Sequence, residues 1–175
     1  MEHLIAYART VLSTTPARWQ QLTDTLPADL LTRKPAPGEW SAFECLGHLL
    51  DTERFAFPVR VRAFLAGQNF PSFDPDAEGS HATPRPPTQL AAEFAQLRAE
   101  SLALLAGVTD ADLPRTAQHP DLGLVTLDQM LHEWAAHDLN HTLQAERALM
   151  QPFIAGSGPW RFYFAAHDVE PAHDS

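Results

Sequence analysis

The residues of this chain best suited to chemistry are histidines. His137 and His141, in the stretch HDLNH, lie four apart inside LHEWAAHDLNHTLQAERAL, a run with helical periodicity. On a helix, residues four apart project from one face a turn from each other, so both rings can reach one ion. In a chain with nine histidines such a pair also arises by coincidence. His48, in WSAFECLGHLLDTERF, is the third candidate. Its neighbours Leu46, Leu49 and Leu50 put it beside an apolar stripe, where a histidine serves either as a ligand or as a core-margin residue satisfied by one hydrogen bond.

A nearby pattern, HEWAAH from His132 to His137, looks like the zinc-protease HExxH but is one residue too long. A spacing of five turns the second ring about 140° away on a helix. His132 is therefore expected away from the His137 face, as is His119. No Ser-His-Asp arrangement stands at recognisable spacing, and no catalytic residue is assigned.

Imidazole donors suit zinc, nickel, copper or iron better than calcium or magnesium, which take oxygen ligands. Three protein ligands leave at least one position of a tetrahedral zinc shell open to water or substrate. Ligating rings also need their second N–H held. Glu44 precedes His48 by one turn and Glu133 precedes His137 by one turn, the right spacing for that task. Asp138 projects elsewhere and is expected to tie its helix to another element, such as the corner at Trp40. Cys45, three residues before His48, is expected to be a small buried hydrophobe, outside the metal shell.

Four helical segments must position these rings. The first covers about 2–23, with a break at TTPARW where Thr15 caps a restart and Pro16 takes the first helical position. The second begins at Ser41, where Ser41 and Glu44 form a capping box, runs to about Ala66 with Pro58 kinking it or ending its regular part, and ends at Gly67. The third covers about 88–105, capped by Thr88. The fourth covers about 126–150, followed by Pro152. Segment 106–125 reads as a loop with a short turn at 110–113, and nothing alternates with period two, so no strand is expected.

The proline-rich stretch 68–87 reads as a crossover. A helix of about 25 residues is about 38 Å long, and a loop of about 20 residues reaches about 66–72 Å at most. The chain can thus return along the second helix, so that the third runs parallel to it. Phe70 and Phe73 suggest that this crossover forms a wall or lid beside the site. The tail 156–175 carries Trp160, Phe162, Tyr163 and Phe164, which are expected to dock on the body. The fold class is all-α, a four-helix bundle in one domain spanning 1–175; bundles commonly build metal sites from inward residues of facing helices.

Composition narrows the functions. With 12 Lys and Arg against 22 Asp and Glu, the net charge is −10, a poor match to nucleic-acid phosphates. No apolar run approaches a membrane span. The single cysteine allows no internal disulfide, and the N-terminus lacks a basic leader, so a cytoplasmic setting is expected.

PAPGEWSAFECLGHLLDTE, followed downstream by GLVTLDQMLHEWAAHDLNHTLQ, resembles the DinB-like family of four-helix proteins. The similarity is closest to the subgroup with a Trp-Ser start to helix 2, one histidine there, and HDxxH on the last bundle helix. The resemblance implies an up-down-down-up bundle and a divalent metal, zinc or nickel, held by His48, His137 and His141. It further implies a homodimer and a metal-dependent thiol transferase, with bacillithiol or mycothiol as co-substrate, joining a small-molecule thiol to an electrophile. Hydrolysis is the nearest variant. A non-catalytic metal-binding or stress-response protein is the alternative.

Overall fold

The computed structural model describes residues 3–70, 73 and 85–169. Helix α1 (Leu4–Thr25) buries Leu4, Ala8, Leu12, Thr15, Trp19 and Thr23, one face at spacings of three and four. The break expected at Pro16 does not occur, and α1 is continuous through it. Pro16 has no N–H to bond the carbonyl of Leu12, as helical geometry would require. That carbonyl accepts from the Thr15 hydroxyl at 3.2 Å and from Arg98 Nη1 at 3.0 Å instead. Tertiary partners thus replace the missing helical bond, and the proline is tolerated.

After the short α2 (Ala28–Thr32), the capping box starts α3 (Ala42–Phe55). Ser41 Oγ accepts from Glu44 N at 3.2 Å, and Glu44 Oε2 accepts from Ser41 N at 2.8 Å. The regular helix is interrupted at Ala56 (φ −112°, ψ −78°), the second of the two outcomes expected of Pro58, which sits in the first turn of α4 (Phe57–Ala66). A proline is favourable there because first-turn N–H groups lack helical partners. Gly67, at φ 66°, closes α4 in the left-handed conformation that favours glycine. Helix α5 (Pro87–Leu105) begins just before the expected start. Pro86 occupies the cap position, and Thr88 lies inside the helix without capping it.

The segment expected to be loop contains a 3₁₀ turn (Asp110–Asp112) and an antiparallel hairpin, β1 (Thr116–His119) and β2 (Gly123–Thr126), with Thr116 opposite Thr126 and His119 opposite Gly123. His119 Nδ1 accepts from the Asp121 and Leu122 N–H groups and closes the turn, while Gly123 takes φ 77°. Strands of four residues are too short to show an alternation. Helix α6 (Leu127–Gly156), capped by Thr126 with Gln129, continues through Pro152 and past the expected end at Met150.

The tail forms a 3₁₀ segment (Gly158–Phe164) and returns to α6 through polar contacts. Arg147 Nε and Gln151 Nε2 both donate to the His167 carbonyl, and Val169 N donates to Gln151 Oε1. The expected docking of its aromatics is not seen. Trp160, Phe162 and Tyr163 are each about two-thirds exposed, and the tail is held by backbone and side-chain polar groups.

α1 and α3 each pack on both α5 and α6. Two buried clusters give the chain directions. One gathers Leu4 and Leu12 of α1, Val61 and Phe64 of α4, Leu105 of α5, and Leu131 and Trp134 of α6. The other gathers Trp19 of α1, Leu46 and Leu49 of α3, Leu90 and Phe94 of α5, and Ala145 of α6. So α1 and α6 run one way and α3–α4 and α5 the other: up, down, down, up. The two middle arms are parallel, and a crossover joins Ala66 to Pro87. Phe70, at its start, is a core residue packed on Phe64, and Phe73 is half-buried. The remainder of the expected lid, 71–72 and 74–84, lies outside the described residues, as do 170–175.

Candidate metal centre

Helix α3 delivers His48 and α6 delivers His137 and His141 to one place between the helices. Among the described residues these three form a group whose ligand atoms all lie within 4.8 Å of one another. The closest approach is His48 Nε2 to His137 Nε2, 3.0 Å. Nitrogens bound at 2.0–2.1 Å to one ion stand about 2.9 Å apart at right angles and about 3.3 Å apart in a tetrahedron. The donor set and its spacing fit one divalent transition metal. The ring centroids of His141 lie 4.5 Å from His48 and 4.4 Å from His137, so all three imidazoles share a small volume.

Their surroundings keep His137 and His141 neutral. Burial, then the neighbouring His141 and His48, then Arg98 and Arg60, push His137 down to about 3. Burial also lowers His141. Both are therefore unprotonated near neutrality, with lone pairs available for coordination. His141 places Nδ1 2.9 Å from Gln144 Oε1, which assigns its proton to Nδ1 and leaves Nε2 for the cluster. Trp40 stacks on His141 (5.6 Å, 23°) and touches His48 (5.0 Å), and Phe57 meets His137 edge-on at 5.1 Å. These rings wall the site.

The expected supports differ from those observed. Glu44 is spent on the capping box and on Lys34, 2.7 Å away. Glu133 lines a neighbouring cavity with Arg60, and His137 Nδ1 has no hydrogen-bond partner among the described residues. Gln144, three residues after His141, does the work expected of a glutamate, and its i,i+3 spacing was the available signal. Cys45 is fully buried, and burial, then Glu44, push its thiol up to about 12, so it stays a protonated core residue. His132 Nδ1 lies 3.0 Å from the Asp128 carbonyl, and His119 closes the hairpin; neither joins the group.

Asp138 does tie α6 to other elements, though not to Trp40. Its Oδ2 accepts from Thr15 Oγ1 (2.6 Å) and Arg98 Nη1 (2.7 Å), and its Oδ1 from Arg98 Nη2 (2.8 Å). Arg98 Nη2 also donates to Glu53 Oε2 at 2.8 Å. Arg98, Glu53 and Asp138 are all at most 2% exposed. This buried network joins all four long arms of the bundle beside His137, and the sequence reading missed it. Its signal was Arg98 on the apolar stripe of α5, between Phe94 and Ser101.

Comparison with known proteins agrees with this architecture. No curated protein matches the chain at significance. A solved structure of YfiT from Bacillus subtilis, described as "a probable metal-dependent hydrolase with an unusual four-helix bundle topology", superposes with a TM-score of 0.73 at 22% identity, covering 85% of this chain and 87% of that one. At that identity the likeness shows the bundle fold. The DinB superfamily model matches residues 12–145, which include all three histidines, and the chain belongs to the DinB superfamily.

Proposed function

We propose that this protein is a metal-dependent enzyme that binds one divalent transition ion, zinc or nickel, through His48, His137 and His141. The observation that carries this reading is the convergence of the three ligand atoms within 4.8 Å, with His137 and His141 held neutral by burial. Three ligands leave a coordination position for a reactant. When bound there, the ion supplies Lewis acidity that lowers the pKa of a coordinated water or thiol and polarises an electrophile.

The chain's own residues hold, orient and enclose. The histidines are ligands, not general bases, because a ring committed to the ion has no lone pair for a proton. Gln144 fixes the tautomer of His141. Trp40 and Phe57 restrict water around the rings. Cys45, fully buried and protonated, is no nucleophile, so the attacking group comes from solution. A water makes the enzyme a hydrolase, the reading supported by the description of YfiT. A low-molecular-weight thiol such as bacillithiol or mycothiol makes it a transferase, which the inertness of Cys45 equally supports. A non-catalytic metal carrier uses the same ligands and gives no turnover.

The test begins with metal analysis after zinc or nickel reconstitution. One ion per wild-type chain is expected, with retention weakened in His48→Ala, His137→Ala and His141→Ala and unchanged in His132→Ala. Retention in His48→Ala together with loss in His132→Ala would put the site on another face and end the assignment. Loaded protein is then assayed on activated esters and amides, and on a chlorinated aromatic with and without added thiol. Thiol-independent cleavage selects the hydrolase and thiol-dependent substitution the transferase.

A further inference from the structure

One turn from the histidines lies a second feature that the ligand set does not use. Phe57, whose ring packs on His137, is followed one turn later on α4 by Arg60; Glu133 precedes His137 by one turn on α6. A helical turn is about 5.4 Å. Between Arg60 and Glu133, closed by the hairpin, is a cavity of about 220 Å³. Its walls are mainly apolar: Phe70 and Met130 are each 5% exposed, Val125 is half-buried, and Leu122 at the hairpin turn forms the lip, while His119, Gln129 and Glu133 complete the lining.

Among the polar residues of this wall, Arg60 is the cation. Its guanidinium carbon stands 5.4 Å from the centroid of the Phe70 ring, which supports it from one side. Its Nε is buried and has no hydrogen-bond partner among the described residues, and Glu133 acts on it only through space. A buried guanidinium N–H without an acceptor is costly, and a planar fork of such donors matches a carboxylate in two parallel hydrogen bonds. A mainly apolar chamber bordered by a guanidinium whose Nε lacks an acceptor suits a monoanion with an apolar body. A dianion suits it less, because its second charge would face Glu133 in a chain of net charge −10.

We propose that this cavity binds a small organic carboxylate with an apolar body, Arg60 taking the carboxylate, and holds it as the substrate of the histidine centre one turn away. The second half rests on the metal-dependent reading; the first half does not.

The test uses isotope-labelled full-length protein, metal-free and zinc-loaded, titrated with benzoate, with 3-phenylpropionate and with benzamide as the neutral isostere. Binding is followed by calorimetry and by the Arg60 Nε–H resonance. Both carboxylates are expected to bind and shift that resonance. Benzamide, and benzoate with Arg60→Gln, are expected to bind about tenfold or more weakly, the loss of a charge-assisted bond. Leu122→Ser, at an exposed position with little folding risk, should also weaken binding, and His48→Ala should not. Equal affinity for benzamide, or unchanged affinity in both Arg60→Gln and Leu122→Ser, would overturn the proposal. Carboxylate binding in a protein that never retains metal would uphold the pocket and remove the metal reading. Metal retention without carboxylate binding would do the reverse.

Discussion

Replacing Arg98 with Met should destabilise this bundle more than any surface change, because of what the guanidinium neutralises. Arg98 is 1% exposed and donates to the Leu12 carbonyl, Thr15 Oγ1, both oxygens of Asp138 and Glu53 Oε2, all between 2.7 and 3.2 Å. Methionine keeps much of the apolar stem, while the guanidinium carbon that stands 4.8 Å from the Phe94 ring centroid and 5.6 Å from that of Trp134 is lost. The substitution removes the only cation paired, among the described residues, with two carboxylates that are themselves at most 2% exposed. Breaking a buried ion pair from one side costs about 3–5 kcal/mol. With an unfolding entropy of about 2.1 cal/mol/K per residue, about 0.37 kcal/mol/K for 175 residues, a loss of about 4 kcal/mol lowers Tm by about 11 °C. The assay is thermal unfolding followed by far-UV circular dichroism on metal-free protein.

The pH dependence sets the sign. Burial already holds the Glu53 carboxyl above its ordinary value, and Arg98 only offsets this. Without Arg98, the Glu53 carboxyl takes up a proton more readily in the folded than in the unfolded state. Stability of the variant relative to wild type is therefore greatest in acid and falls as pH rises through the raised folded value. The deficit should shrink between pH 8 and pH 5. Replacing all three charges, as in Arg98→Met with Glu53→Leu and Asp138→Leu, should recover most of it, since apolar substitutes for buried ion clusters are often neutral. A Tm within about 3 °C of wild type for Arg98→Met alone would refute the reasoning. So would a deficit that grows on acidification.

Gln144→Ala should weaken metal affinity by about 10–100-fold, the usual effect of losing a ligand's outer hydrogen bond, with Tm nearly unchanged; competition with a chelator reads it out. Pro16→Ala ordinarily gains about 3 kcal/mol in a helix interior. Here it should change stability by less than about 1 kcal/mol, because Thr15 and Arg98 already occupy the Leu12 carbonyl; denaturant titration showing the full gain would contradict that account. For Glu44, burial raises the carboxyl pKa, but the hydrogen bonds from Lys34 and Ser41 outweigh it and the net shift is downward. Its contribution is present above the unfolded value near 4.5 and is lost as pH falls through the lower folded one. Glu44→Gln keeps the capping box and should cost about 0.5 kcal/mol at pH 7, discounted for its partial exposure, and nothing at pH 2, measured by unfolding across that range.

The sequence alone carried the bundle, most helix boundaries and the His137–His141 pair, because these depend on short-range rules, whereas His48 joined that pair only through the family resemblance. Periodicity of three and four locates a buried face, Ser41 with Glu44 starts a helix, Gly67 ends one, and a spacing of four puts His137 and His141 on one side of α6. The parallel course of the middle arms followed from the length of the crossover. Much of what failed was decided by contacts between elements. Pro16 reads as a break until Arg98, more than eighty residues away, takes the carbonyl it leaves free. Glu44 and Glu133 had the spacing to support the ligands, but the capping box and Lys34 occupy the first, and the second borders a cavity that spacing does not reveal. The hairpin has strands too short for an alternating pattern, and its register is held by the His119 turn and its packing on the core. The aromatics of the tail read as core by residue type, yet the chain that carries them is tied down by Arg147 and Gln151 and leaves them in solvent. Local sequence determines which face of an element is apolar and which residues share it. Only the assembled bundle decides which buried polar groups meet, since each such meeting joins residues from different arms.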